Sequence, residues 1–168
     1  MAARAAGSRI HMLNTGKETG KQEKEAVIMI DIIAGSKGKG KTKILLERVN
    51  EDIKVTHGTI VYLDKNNKQM YKLSNQIRLI VVPEFDIIDT DMFIGFISGI
   101  LSQDHDLDKI YLDSFLTIAF IENTEELDAA IVKLEKISDK FDVDFVISAS
   151  LDKNELPERL QSFVSAAL

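Results

Sequence analysis

The strongest constraint on this chain is the change of pattern at residue 35. Residues 27–34 are apolar except for Asp31, and Gly35-Ser36-Lys37-Gly38-Lys39-Gly40-Lys41-Thr42 follows at once. A short unbroken apolar run bounded by a glycine-rich turn predicts a strand buried on both faces, the kind found inside parallel sheets. Beyond the turn, Ile44, Leu45, Val49 and Ile53 recur at helical spacing, which predicts a helix with one apolar stripe. His57-Gly58 is expected to end that helix, with Gly58 as a left-handed cap. A strand, a tight loop and a helix in this order leave few folds open. A parallel neighbour for the strand needs a crossover, and the crossover is the helix.

The rest of the sequence repeats the alternation. Residues 59–64 read as a second strand and 77–82 as a third, stopped by Pro83, which has no N–H for the ladder. Between them, 69–73 reads equally as a helical turn or a small hairpin arm. Thr90 is expected to cap a helix carrying Met92, Phe93, Phe96, Ile97, Ile100 and Leu101, with Gly95 and Gly99 approaching the sheet closely. Residues 109–113 form a fourth strand. Thr124 is expected to cap a helix with Leu127, Ile131, Leu134 and Ile137 inward. A fifth strand covers 143–148, and a final helix over 154–167 turns Leu156, Leu160 and Phe163 to the core. The prediction is an α/β fold: a three-layer α/β/α sandwich around a mainly parallel sheet.

With 168 residues and 45% apolar content, one domain with a real core is expected, spanning 26–168. Residues 1–25 are rich in Ala, Gly, Lys and Glu and predict a flexible tail, in which Gly7-Ser8-Arg9-Ile10-His11-Met12 has the look of a cloning remnant, a native flexible arm being an equal alternative. A net charge of −6 argues against nucleic acid as a partner. The absence of cysteine excludes disulfide and thiolate chemistry and fits a cytoplasmic protein. No apolar run reaches the ~18 residues of a membrane span. His11, His57 and His105 fall in the tail or in turns and are expected to be solvated.

The chemistry lies in the loop. Glycines let successive backbone N–H groups curl around a phosphate, and the following helix adds the partial positive charge of its N-terminus. Gly35 to Thr42 is G-x-x-x-x-G-K-T without a mismatch and resembles the phosphate-binding loop of the P-loop NTPases. The resemblance implies that Lys41 reaches the β- and γ-phosphates of a nucleotide and that the Thr42 hydroxyl sits on Mg²⁺. Gly35, Ser36, Lys37, Gly38, Lys39, Gly40 and Lys43 complete the cradle. Asp113, after the apolar Ile110-Tyr111-Leu112, is the expected metal partner, with Asp64 as its competitor.

The order of elements over roughly 28–150 resembles the RecA-like ATPase core. That resemblance places the Asp-Ser of the metal site on Asp113 and Ser114, and a γ-phosphate sensor on Ser148 or Ser150. It also implies a catalytic Glu just past the strand that ends at Asp64, where this chain has Lys65 and Asn66. Asp64, Asn66 and Glu84 are the available substitutes, so turnover is expected to be slow. The chain is similar, too, to small clostridial P-loop proteins labelled twitching-motility PilT-like, through Ile32 to Gly38, Phe93 to Ile97 and Tyr111 to Asp113. It has no room for the sensory domain and acidic and histidine boxes of retraction ATPases. The expected function is Mg-ATP binding with slow hydrolysis or a nucleotide-dependent switch, in a homo-oligomer or with a protein partner. The alternatives are a small-molecule or nucleotide kinase, and a non-enzymatic adaptor with a vestigial loop. The kinase is disfavoured because 114–123 is apolar and carries no Arg.

Overall fold

The computed structural model describes residues 29–168; the expected tail, and the start of the first strand at 27–28, lie outside the described residues. Six strands, all parallel, form one sheet in the order β3-β2-β4-β5-β1-β6. They are β1 (Ile30–Ala34), β2 (Thr59–Asp64), β3 (Ile77–Val81), β4 (Leu107–Leu112), β5 (Asp144–Ala149) and β6 (Val164–Ala167). The four central strands, β2, β4, β5 and β1, carry most of the apolar runs and are largely buried on both sides.

Side-chain alternation separates two cores. Ile33, Ile60, Tyr62, Tyr111 and Val146 face helix α1 (Lys41–Val55), which contributes Leu45, Leu46 and Val49. Ile32, Val61, Leu63, Ile110, Leu112, Phe145 and Ile147 face the other way. That face is covered by α2 (Thr90–Gln103) and α4 (Thr124–Phe141), through Phe93, Ile97, Leu127, Ile131 and Leu134. Helices on both faces are what a parallel sheet requires, because each crossover must leave and rejoin the sheet through its face.

Four apolar side chains of the region 114–123 belong to the core, while Phe120 is exposed. Phe115, Ile118, Ala119 and Ile121 are buried around the single turn α3 (Phe115–Ile118). Residues 70–72 form a 3-10 turn, resolving the open choice there.

Several expectations need correction. The last helix is only α5 (Glu158–Gln161), and 164–167 is instead the strand β6 beside β1. Leu156, Leu160 and Phe163 are buried as expected, but pairing with an open strand edge outweighs the helical spacing. The helix caps are Asp89 and Asn123, each one residue before the expected threonine; their side chains accept from Met92 N and Glu126 N. Thr90 instead donates its hydroxyl to Ala119 O.

Helix α1 stops at Thr56 in extended conformation, so Gly58 is not its cap. A Cβ on Gly58 would stand 2.2 Å from Asp106 O; the glycine lets two loops touch. Gly95 and Gly99 face open space, with nothing within 4 Å of a Cβ on either, and do not approach the sheet.

Candidate functional site

Because the strands are parallel, their carboxyl ends share one edge of the sheet, and that edge collects the loop together with Asp64, Asp113 and Ser148. β1 runs directly into 35–40. Gly38 and Gly40 hold φ of 85° and 97°, left-handed values that cost a side chain about 1 kcal/mol or more. They curl the loop into the start of α1. No side chain caps that helix at Gly40, so its first-turn N–H groups are left for an external acceptor. Lys37, Lys39 and Lys43 are exposed and Thr42 is half-buried.

Lys41 is the exception among the loop lysines. It is buried, and its Nζ donates to Gly35 O at 2.6 Å and to Ser36 O at 2.9 Å. Burial pushes its ammonium below the ordinary lysine value, while Asp113 and Asp152 pull it back up. The ammonium therefore lies in the field of both carboxylates, folded over the loop that carries it.

Asp152 braces the loop from outside. Its Oδ1 accepts from Ser36 N at 3.0 Å and Ser36 Oγ at 2.8 Å, and Gly35 N donates to Leu151 O at 2.7 Å. On the opposite flank, Leu168 N donates to Ala34 O. The loop is thus anchored to the segments following β5 and β6.

Asp113 follows β4 and is 2% exposed. Its Oδ1 accepts from Ser148 Oγ at 2.7 Å and Ser114 N at 2.8 Å, and its Oδ2 accepts from Tyr62 Oη at 2.9 Å. Ser114 adopts φ 54°, and in that left-handed turn its N–H reaches both Asp113 and Ser148 Oγ. Buried carboxylates are tolerated only with such partners.

Asp64 ends the adjacent strand β2. Burial, and then the charge of Asp113, push its carboxyl up to about 6, although Lys65 N donates to its Oδ1. Burial and the Asp113 carboxylate likewise drive the Tyr62 phenol upward, so it stays protonated and a donor.

The expected site residues separate accordingly. Lys41, Thr42, Asp64, Asp113 and Ser148 share the carboxyl edge of the sheet. Ser148 spends its one hydroxyl hydrogen on Asp113 and has none left to sense a phosphate; it positions the carboxylate instead. Ser150 is exposed just past β5. Asn66 uses its Oδ1 in a local turn, accepting from Lys68 N. Glu84 lies past the end of the outer strand β3, roughly 19 Å from the loop strand at 4.8 Å per strand spacing.

Tyr62 and Asp152 escaped the sequence reading. A signal for Tyr62 was present: Tyr-Leu-Asp occurs twice, at 62–64 and 111–113. Period-two alternation puts each tyrosine on the face of its following aspartate. The two rings stack at 6.1 Å with an interplanar angle of 11°, and Tyr62 crosses to the other strand's aspartate.

Among the described residues, no three His, Cys, Asp or Glu side chains converge into a metal cage. The donors along this edge are hard oxygens: the Thr42 hydroxyl at the loop, the Asp113 carboxylate two strands away and the Asp64 carboxylate beside it. That set fits Mg²⁺, which takes one or two carboxylates and completes its shell with water and phosphate. No family model matches the chain, and no curated protein matches it.

Proposed function

We propose that the protein binds a nucleoside triphosphate with Mg²⁺, ATP being the expected nucleotide, and hydrolyses it slowly. Lys41 carries the reading. A lysine buried at the junction of β1, a glycine turn and an uncapped helix carries a desolvation cost that Asp113 and Asp152 offset only in part, and a phosphate arriving there would offset the rest. The exposed backbone of 37–40 and the first turn of α1 would hold the phosphates. Lys41 would exchange its two carbonyl acceptors for phosphate oxygens, and Thr42 and Asp113 would hold the metal, which supplies charge neutralisation on the phosphates.

Asp64 suits the general base better than Asn66 or Glu84. A carboxylate with pKa raised to about 6 is ionised at neutral pH yet basic enough to accept a proton from an attacking water. The water oxygen bonds to the γ-phosphorus, the bond to the leaving diphosphate breaks, and the proton passes to Asp64. Its place beside Asp113 rather than at the loop itself accords with slow turnover, and so with a switch. A RecA-like setting is part of this proposal. It rests on the parallel sheet and on β5 lying between the loop strand and the Asp113 strand.

The kinase reading loses ground on one observation. The segment after Asp113 is packed as α3, and Arg48 and Arg159 are held by Asp31 and by Asp128 and Glu135. None of these is placed to clamp a transferred phosphoryl group.

Calorimetric titration with Mg-ATP tests the binding. Saturable binding is expected, weakened about 10- to 100-fold in Lys41→Ala, the equivalent of losing charged hydrogen bonds worth about 1.5–3 kcal/mol. Absence of binding by the native protein would overturn the proposal.

A further inference from the structure

Two exposed features on opposite faces of the sheet complement each other. The first is the connection from β2 to β3, on the α1 side. Between Asp64 and Glu84 the sequence has Lys65, Lys68, Lys72 and Arg78 and no carboxylate, in a chain of net charge −6. Its apex is the 3-10 turn at 70–72, where Tyr71 is 91% exposed beside the half-exposed Met70. This apex is held in place. Asn50 of α1 donates to Lys72 O and accepts from Ser74 N, both at 2.8 Å. Lys68 and Lys72 form no ion pair among the described residues.

The second feature is a groove of about 600 Å³ at the start of α2 and α4, on the other face. Ile88 and Phe120 supply its apolar surface, 72% and 44% exposed. Around them stand Asp89, Asp91, Glu122 and Glu126 against one ammonium, Lys133, which already pairs with Asp91. Phe120 carries two costs at once. It exposes an aromatic ring, and it holds φ 56°, a left-handed conformation costing a bulky residue about 1–3 kcal/mol. The left-handed turn closes α3, with Phe120 N donating to Thr117 O and Ile121 N to Leu116 O; glycine would make the same turn without exposing a ring.

We propose that the Met70–Tyr71 apex of one molecule docks into the Phe120 groove of a second copy. Lysines meet carboxylates and exposed apolar side chains meet each other. The sheet separates the two features, so they can meet only between molecules. The contact joins different surfaces of each partner, so it adds copies head to tail, into a ring or an open filament. It does not depend on the nucleotide reading.

Sedimentation equilibrium of the full chain tests it, at about 200 µM because small interfaces are weak. In about 50 mM salt the average mass should rise with concentration to at least twice the monomer. In about 0.5 M salt, which screens the charges, it should fall towards the monomer. A variant lacking the apex (Lys68→Glu with Tyr71→Ser) and one lacking the groove (Ile88→Ser with Phe120→Gly) should each be monomeric. All four positions are exposed, and glycine accepts the φ of Phe120, so both variants keep the fold; unchanged thermal midpoints verify this.

Mixed in equal amounts, the two variants should form a dimer and nothing larger, since each retains one intact half. Three results would each overturn the proposal: a native protein monomeric with and without Mg-ATP, association surviving in either single variant, or folded variants that fail to complement.

Discussion

Replacing Asp64 by Asn should make the protein more stable and less active, with a pH dependence that identifies the cause. Asp64 is 4% exposed, and its carboxyl is raised from an ordinary 3.8 to about 6 by burial and by Asp113. A carboxyl with a raised folded value favours folding most when protonated in both states. It loses that contribution as pH rises from about 4 through about 6.

Two pKa units correspond to about 3 kcal/mol. Asn keeps the shape and an oxygen to accept from Lys65 N, but carries no charge. The advantage of Asp64→Asn over the native chain should therefore be about 1 kcal/mol at pH 4.5 and about 3 kcal/mol at pH 8. In a domain this size that is roughly 6–12 °C in thermal midpoint at the higher pH. Urea unfolding of both proteins at half-unit steps of pH gives the difference curve. A curve flat with pH, or a variant less stable at pH 8, would refute the electrostatic account of this pair. Phosphate release from ATP by the same variant should fall about 10²–10⁴-fold while Mg-ATP still binds.

Removing the Tyr62 hydroxyl should act in the opposite direction. Tyr62→Phe takes away the donor to Asp113 Oδ2 and should cost about 1.5–3 kcal/mol in urea unfolding at neutral pH, as expected for a bond to a buried charge. The glycines divide by their surroundings. Gly58→Ala sets a methyl 2.2 Å from a carbonyl oxygen and should destabilise by about 1–3 kcal/mol. Gly95→Ala and Gly99→Ala, in open space within α2, should each stabilise by about 0.5–1 kcal/mol. Thermal midpoints of the three single variants decide both claims.

The sheet was largely legible because its strands are short, apolar and sharply punctuated. Thr59–Asp64 ends at Lys65-Asn66-Asn67-Lys68, and the third strand ends before Pro83. The final element was not. Leu156, Leu160 and Phe163 have helical spacing, while Val164-Ser165-Ala166-Ala167 has little of the β-branched content that marks a strand. Only the vacant edge of β1 makes it one, and that edge is a tertiary fact.

The helix caps were off by one for a local reason. Asp89-Thr90 and Asn123-Thr124 each pair two good capping residues, and sequence alone does not rank them. At the site, the loop and Asp113 announce themselves by motif and by a charge after an apolar run. Asp152 does not, and Ser148 does so only through the resemblance and for a different role. Their roles come from contacts with residues 35 and 116 positions away, and nothing nearby in sequence records a partner that distant.

The position of β1 in the sheet has a consequence for how the molecule is made. β1 is the first described strand, yet its two neighbours, β5 and β6, are the last two formed along the chain. A ribosome therefore releases the loop strand more than a hundred residues before anything exists to pair with it. During that interval Gly35 to Thr42 has a sequence but no frame. Nascent chains stopped short of β5 should be unable to hold a phosphate, and the apolar β1 must be kept from other partners until β5 has been made.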